Sequence, residues 1–136
     1  APAVTTQDNF TRWAAYANYY VVPKMVNVLA GYAEGRESLG DGSVVPTAGK
    51  SSGYFGEVDY HATGKWAVGL RYDEFKPTDK SLATGTKEST QTTLAANYYV
   101  TNGLQFIADY QLRDDKLAQG GTNKTDTLTA RMIFIW

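Results

Sequence analysis

Apolar and polar residues alternate with period two in several separate stretches of this 136-residue chain. Leu104, Phe106, Ala108, Tyr110 and Leu112 interleave with Gln105, Ile107, Asp109, Gln111 and Arg113. Trp66, Val68, Leu70 and Tyr72 interleave with Ala67, Gly69, Arg71 and Asp73. Tyr54, Gly56, Val58 and Tyr60 oppose Phe55, Glu57, Asp59 and His61, and Leu128, Ala130, Met132 and Phe134 oppose Thr125, Thr127, Thr129 and Arg131. Successive side chains of a β-strand point to opposite faces, so each stretch makes a strand with one apolar and one polar face. The pattern predicts seven strands, over 9–22, 25–36, 52–62, 65–76, 88–100, 103–114 and 124–136.

A repeat punctuates them. Ala17-Asn18-Tyr19-Tyr20-Val21-Val22-Pro23-Lys24 aligns without gaps to Val58-Asp59-Tyr60-His61-Ala62-Thr63-Gly64-Lys65. Both align to Ala96-Asn97-Tyr98-Tyr99-Val100-Thr101-Asn102-Gly103. The spacing of about 40 residues marks a strand–turn–strand unit. Pro-Lys, Gly-Lys and Asn-Gly are hairpin punctuation. Longer polar segments lie between the units, at about 36–51, 76–87 and 114–123. Short turns alternating with long loops are the signature of an outer-membrane barrel.

A soluble β-sandwich would alternate in the same way, so the aromatic residues decide. On the apolar face they sit at strand ends: Trp13 and Tyr19, Tyr54 and Tyr60, Trp66 and Tyr72, Phe106 and Tyr110, with Tyr98 at the corresponding place in the third repeat. Small and aliphatic residues fill the middle. A sandwich core would put the large rings at its centre, where burial is greatest. A membrane barrel collects Tyr and Trp in two girdles at headgroup level. Six residues from Trp66 to Tyr72 span about 20 Å of strand. The expected girdle is therefore Trp13, Tyr19, Tyr54, Tyr60, Trp66, Tyr72, Tyr98, Tyr110 and Trp136, the last in register with Tyr19, Tyr60 and Tyr98. The polar face would line a pore with Arg12, Glu57, Asp59, His61, Arg71, Asp73, Asp109, Arg113 and Arg131, and with Lys65. The fold class is all-β, an antiparallel up-and-down transmembrane barrel. Residues 1–136 are one stretch of it. Single-chain barrels of this kind have an even strand number with both ends at the short-turn side. Seven strands ending at Trp136 put residues 1–8 on the long-loop side, so further strands are expected upstream.

Composition agrees. The chain has 10 Tyr, 5 Phe and 3 Trp, which favour strands over helices. No run approaches the roughly 18 apolar residues of a membrane-spanning helix. The 13 Lys and Arg balance 14 Asp and Glu without a block of one sign, so no basic face for nucleic acid exists. Cysteine is absent, which removes disulfides, thiolate metal sites and Cys nucleophiles. The opening Ala1-Pro2-Ala3-Val4 is no signal peptide in itself, so an exported protein would have lost its signal or carry it upstream.

The final Thr-Leu-Thr-Ala-Arg-Met-Ile-Phe-Ile-Trp, alternating and closing on an aromatic residue, resembles the insertion signal of bacterial outer-membrane barrels. The repeated Asn-Tyr-Tyr-Val turn unit, with Gly69-Leu70-Arg71-Tyr72-Asp73 after Trp66, resembles the last third to half of the phosphate-selective porins. That resemblance implies a barrel of about 16 strands, often assembled as a trimer. Phosphate selectivity would need ladders of Arg and Lys inside, whereas the inward set here mixes both signs.

Enzymatic readings find little support. His61, beside Asp59 and Glu57, could hold a metal, but a zinc site wants a second His or a Cys. Asp73 with Glu74, and Asp114 with Asp115, lack the base or ligand set for acid–base work or calcium. Leu39-Gly40-Asp41-Gly42-Ser43 has Ser52 where a calcium loop would close with Glu. No catalytic residue, metal or cofactor is expected. The chain reads as a channel for small polar solutes or ions, set in outer-membrane lipid. The alternatives are a barrel sheathing a plug or cytochrome partner, and a soluble β-sandwich binding module.

Overall fold

The computed structural model describes residues 9–39, 47–77 and 86–134. They form seven strands: β1 (Asn9–Val22), β2 (Val26–Leu39), β3 (Thr47–Thr63), β4 (Trp66–Pro77), β5 (Thr86–Thr101), β6 (Leu104–Leu117) and β7 (Thr122–Phe134). Each pairs antiparallel with the next in a single sheet ordered β1 to β7. The edges β1 and β7 do not pair, so the sheet is unclosed, as a section of a barrel wall would be. The all-β, up-and-down architecture is the one the alternation predicts. Ala1 to Asp8, residues 40–46 and 78–85, and Trp136 lie outside the described residues.

The repeat builds the short connections. Met25 N donates to Val22 O at 3.0 Å, closing a turn in which Pro23 fixes φ and Lys24 takes φ 64°. That pair of conformations defines a type II turn. Thr63 and Thr101, equivalent in the repeat, accept from the amides of Lys65 and Gly103 at 3.2 Å. Register slips just before each turn, between Tyr20 and Val22, His61 and Thr63, and Tyr99 and Thr101. Val21, Ala62 and Val100 are thus bulges at one position of the repeat, where an extra residue re-aims the strand end. Lys65 sits in a turn, so it does not belong to the inward set of strand residues.

Strand boundaries follow the prediction closely at the short turns and overrun it at the other end. The segment 114–123, expected as a long loop, is mostly strand. Its connection is only Ala118-Gln119-Gly120-Gly121, closed by Leu117 N to Gly121 O and Gly120 N to Leu117 O, both 3.1 Å. The polar residues there remain in register, Asp114 opposite Lys124 and Asp115 opposite Asn123. Polarity had suggested a loop because no apolar alternation marks strand outside a hydrophobic layer. Of the other two expected loops, 36–51 is strand at 36–39 and 47–51 and 76–87 is strand at 76–77 and 86–87; the remainder, Asp41 to Ser43 included, lies outside the described residues.

Among the described residues only Ala67 and Asp109 are buried, each 5% exposed. The sheet has no core of its own. Most of its exposed large apolar side chains, among them Tyr19, Leu70, Leu94, Leu128 and Met132, lie on one face.

Gly120 and Gly121 take φ of 94° and 95°, where a Cβ is unfavourable. Gly120→Ala and Gly121→Ala should each cost about 1–2 kcal/mol, measured by denaturant unfolding of the intact protein. Unchanged unfolding curves would show that this tight turn does not form.

Candidate functional site

The cross-strand register fixes which residues share a face. One face carries Asn18 and Tyr16 of β1, Leu29 and Gly31 of β2, Phe55 to His61 at odd positions of β3, and the odd positions of β4 to β7. Burial alternates with it: Phe55, Glu57, Asp59, His61, Ala67, Gly69 and Arg71 are sheltered while their neighbours are exposed. This face bounds a hollow of about 1360 Å³ whose lining includes Arg12, Tyr16, Phe55, Arg71, Asp73 and Arg113.

Three neighbouring strands assemble one cluster in it. Arg71 of β4 lies opposite Glu57 of β3, and Asp73 opposite Phe55. Arg71 Nε donates to both oxygens of Asp73 at 3.0 and 2.9 Å, Nη2 donates to Oδ1 at 2.6 Å, and Nη1 reaches Glu57 Oε2 at 3.2 Å. The guanidinium carbon also sits 4.2 Å from the centre of the Phe55 ring, within cation–π range. Phe55 can lie there because its cross-strand partner is Gly31, and a Cβ on Gly31 would collide with the ring. One missing side chain therefore seats the aromatic that seats the arginine.

A second cluster joins β6 and β7. Buried Asp109 accepts from Arg131 Nη2 at 3.1 Å and from Gln111 Nε2 at 2.9 Å. Nearby, Arg113 Nε donates to Asp115 Oδ1 at 3.0 Å. Of the residues expected inside, Glu57, Arg71 and Asp73 thus come together, as do Asp109 and Arg131. Arg12, Asp59 and His61 share the face but join neither group. Asp59 lies against Gly69 and opposite Asn27, whose Oδ1 is buried without a hydrogen-bond partner among the described residues. The described residues contain no group of three His, Cys, Asp or Glu placed to hold a metal ion. Phe55 and Asp115 were missed as members. The signal for Asp115 was present, two positions from Arg113 on the same parity.

The opposite face is apolar, and its aromatics fall on two lines. The line toward the longer connections runs Trp13, Tyr32, Tyr54, Tyr72, Tyr110. It drops six residues toward the short turns over five strand-to-strand steps. The line near the short turns runs Tyr19, Tyr60, Trp66, Tyr98, Phe106, Phe134, dropping six residues over six steps. At about 3.4 Å per residue and about 4.8 Å between strands, these slopes tilt the strands by about 40° and about 35° from the perpendicular to the lines. The expected aromatic residues up to Tyr110 all lie on this face. Tyr98 is half-exposed because it stacks on Trp66, ring centres 4.5 Å apart. Trp136 lies outside the described residues. Tyr32 was missed, although Val26, Val28, Ala30 and Tyr32 alternate as clearly as the strands that were read.

The two lines differ in chemistry. Each tyrosine of the first from Tyr32 onward donates to a carboxylate: Tyr32 to Glu34 at 3.2 Å, Tyr54 and Tyr72 to Glu74, and Tyr110 to Asp126 at 3.3 Å. Among the described residues no tyrosine of the other line donates to a carboxylate.

A family model described as phosphate-selective porin O and P matches residues 26–136. No curated protein and no solved structure matches the chain.

Because Phe55 fills the space that Gly31 leaves, Gly31→Ala should cost about 1–3 kcal/mol by overpacking. In a Phe55→Ala background the same change should cost almost nothing. A double-mutant cycle on unfolding free energy reads this coupling, and additive costs would refute the seating of Phe55 on Gly31.

Proposed function

The chain belongs to the phosphate-selective porin O and P family, and on that premise we propose that it forms part of the wall of an outer-membrane channel. Its sheltered face lines the lumen and its aromatic face meets lipid. The observation that carries this reading is the slope of the two aromatic lines. A barrel strand crosses the membrane tilted by about 35–45°, and rings held at two constant heights must then step down the register as they do here. A sandwich core would impose no such pair of sloping lines. The large exposed apolar face supports the same reading, since a soluble protein leaves few such patches uncovered.

On this proposal Trp13, Tyr54, Tyr72 and Tyr110, joined by Tyr32, make the girdle toward the longer connections. Tyr19, Tyr60, Trp66 and Tyr98 make the other. The unpaired edges of β1 and β7 would meet further strands, because open backbone groups in lipid cost several kcal/mol each. Arg12, Glu57, Asp59, His61, Arg71, Asp73, Asp109, Arg113 and Arg131 then face the pore. Arg71, Arg113 and Arg131 are each paired with a carboxylate, which leaves a field across the pore rather than a ladder of uncompensated cations. Weak ion preference and passage of small polar solutes follow.

Planar-bilayer recording of the intact protein should show open conductance with modest ion preference. Arg71→Gln strips Glu57 and Asp73 of their cation and should move the preference toward cations, while Asp59→Asn should move it toward anions. A silent protein would instead favour a barrel that sheathes a partner. Leu70→Arg, mid-way between the girdles, should cost about 2–4 kcal/mol of folding into lipid vesicles. A negligible cost would remove that face from the lipid.

A further inference from the structure

Beyond the loop-side girdle, the outward face changes from aromatic to charged in a fixed order. Along β2 the sequence runs Tyr32, Glu34, Arg36 at alternate positions, and along β4 Tyr72, Glu74, Lys76. On β7 it runs Leu128, Asp126, Lys124 in the same outward sense. Ring, carboxylate, cation is the order on β2 and β4, and on β7 Leu128 takes the ring's place opposite Tyr110. Arg36, Lys76 and Lys124 lie four residues past the ring line, about 14 Å along the strand, and Lys116 lies six past Tyr110, about 20 Å.

The two charged tiers are not equally available. Glu34, Glu74 and Glu88 have side chains only 13%, 10% and 21% exposed, whereas Lys50, Lys76 and Lys116 are 45%, 53% and 56% exposed. Glu34 and Glu74 are held from below by tyrosine hydroxyls, and all three carboxylates from the side by ammonium groups: Lys50 to Glu34 at 3.1 Å, Lys116 to Glu88 at 2.7 Å, and Lys76 to Glu74. Their oxygens are already engaged, which disfavours a divalent cation as the resident. Each ammonium carries three N–H donors. Glu34, Glu74 and Asp126 lie two residues nearer the rings than Arg36, Lys76 and Lys124, whereas Glu88 and Asp114 share the cation tier, opposite Lys116 and Lys124.

We infer that this belt docks phosphate-bearing headgroups of the surrounding lipid leaflet. The inference rests on the channel reading above, which puts the ring line at the boundary between acyl chains and headgroups. An ammonium just past that boundary meets lipid phosphates at their own height and gains a charge-assisted hydrogen bond with each. Lys76 and Lys116 flank Glu88, at 4.0 and 2.7 Å from its carboxylate, so one acidic side chain restrains two of the docking cations.

The test uses the intact porin in non-ionic detergent, titrated by native mass spectrometry with a bisphosphorylated glycolipid and with the same lipid after removal of its phosphates. Only the phosphorylated form should be retained. The triple variant Lys50→Gln, Lys76→Gln, Lys116→Gln should bind it about a hundredfold more weakly, at roughly fivefold per ammonium, with unchanged conductance. Glu88→Gln frees two ammonium groups and should bind more tightly. Equal retention of the two lipids, an unaffected triple variant, or competition by inorganic phosphate at the lipid's own concentration would each overturn the inference. So would a belt that instead pairs two copies of the chain without lipid. Vesicle insertion and conductance are scored separately, so failure of the lipid titration in an inserting, conducting protein refutes only the docking surface, while failure to insert refutes the channel reading beneath it.

Discussion

Everything in this structure depends on backbone register. Each strand touches only its sequence neighbours, and the side chains on neither face form a buried core, so the antiparallel ladder is what holds residue against residue. Period-two alternation makes that ladder unforgiving, because a slip of one residue would exchange the two faces of a strand outright. The repeat guards against this at the short turns. A bulge before each of them, at Val21, Ala62 and Val100, absorbs an odd residue at the strand end. The alternating face then emerges correctly on the far side of the turn. Exposed leucines and tyrosines, which would destabilise a sheet in water, become the reason the ladder is stable once lipid covers them.

Strand number and facing were legible in the sequence because both follow from period and punctuation, which are local. Arg71 and Asp109 could be assigned to the polar face from parity alone. What they touch could not, because partners come from register, a relation between segments. The Arg71 cluster needs Glu57 from fourteen residues upstream and Phe55 from the strand before. Phe55 itself looked like an intruder among polar residues until Gly31 was seen opposite it. The slope of the aromatic lines was hidden for the same reason. β1, β3, β4 and β6 each show a ring toward either end, but only the pairing reveals that the rings descend from strand to strand. The segment 114–123 was misread because charge alternating on both faces leaves no hydrophobic signature, although Gly120-Gly121 marked the true turn.

Within the sheltered face the charges fall into two kinds. Arg71 is stacked on an aromatic ring and forked onto one carboxylate while touching another, a geometry that suits a guanidinium and would not suit an ammonium. Such a group cannot follow a passing solute. Asp109, nearly buried and holding both Arg131 and Gln111, is fixed in the same way. Asp59 makes no hydrogen bond or ion pair with another described residue. On the proposed reading such a carboxylate can meet a solute's donors, so discrimination along this wall would rest on its less constrained groups, with the clamped ones setting shape and background field.

The hairpin of β6 and β7 has a mechanical consequence. From Tyr110 to Leu117 the ladder continues past the aromatic line, through Leu112 opposite Asp126, Asp114 opposite Lys124 and Lys116 opposite Thr122. The ion pair of Lys124 with Asp114, 3.6 Å on an exposed surface, contributes at most about 1 kcal/mol, so side-chain charge alone would not keep this segment straight. The continuous backbone hydrogen bonds do, since bending the hairpin inward would break several at once and expose their donors and acceptors. A flexible loop of the same length could fold across the pore and narrow it. A paired hairpin closed by two positive-φ glycines stands as an extension of the wall, so on the proposed reading this stretch widens the polar mouth of the channel instead of constricting it.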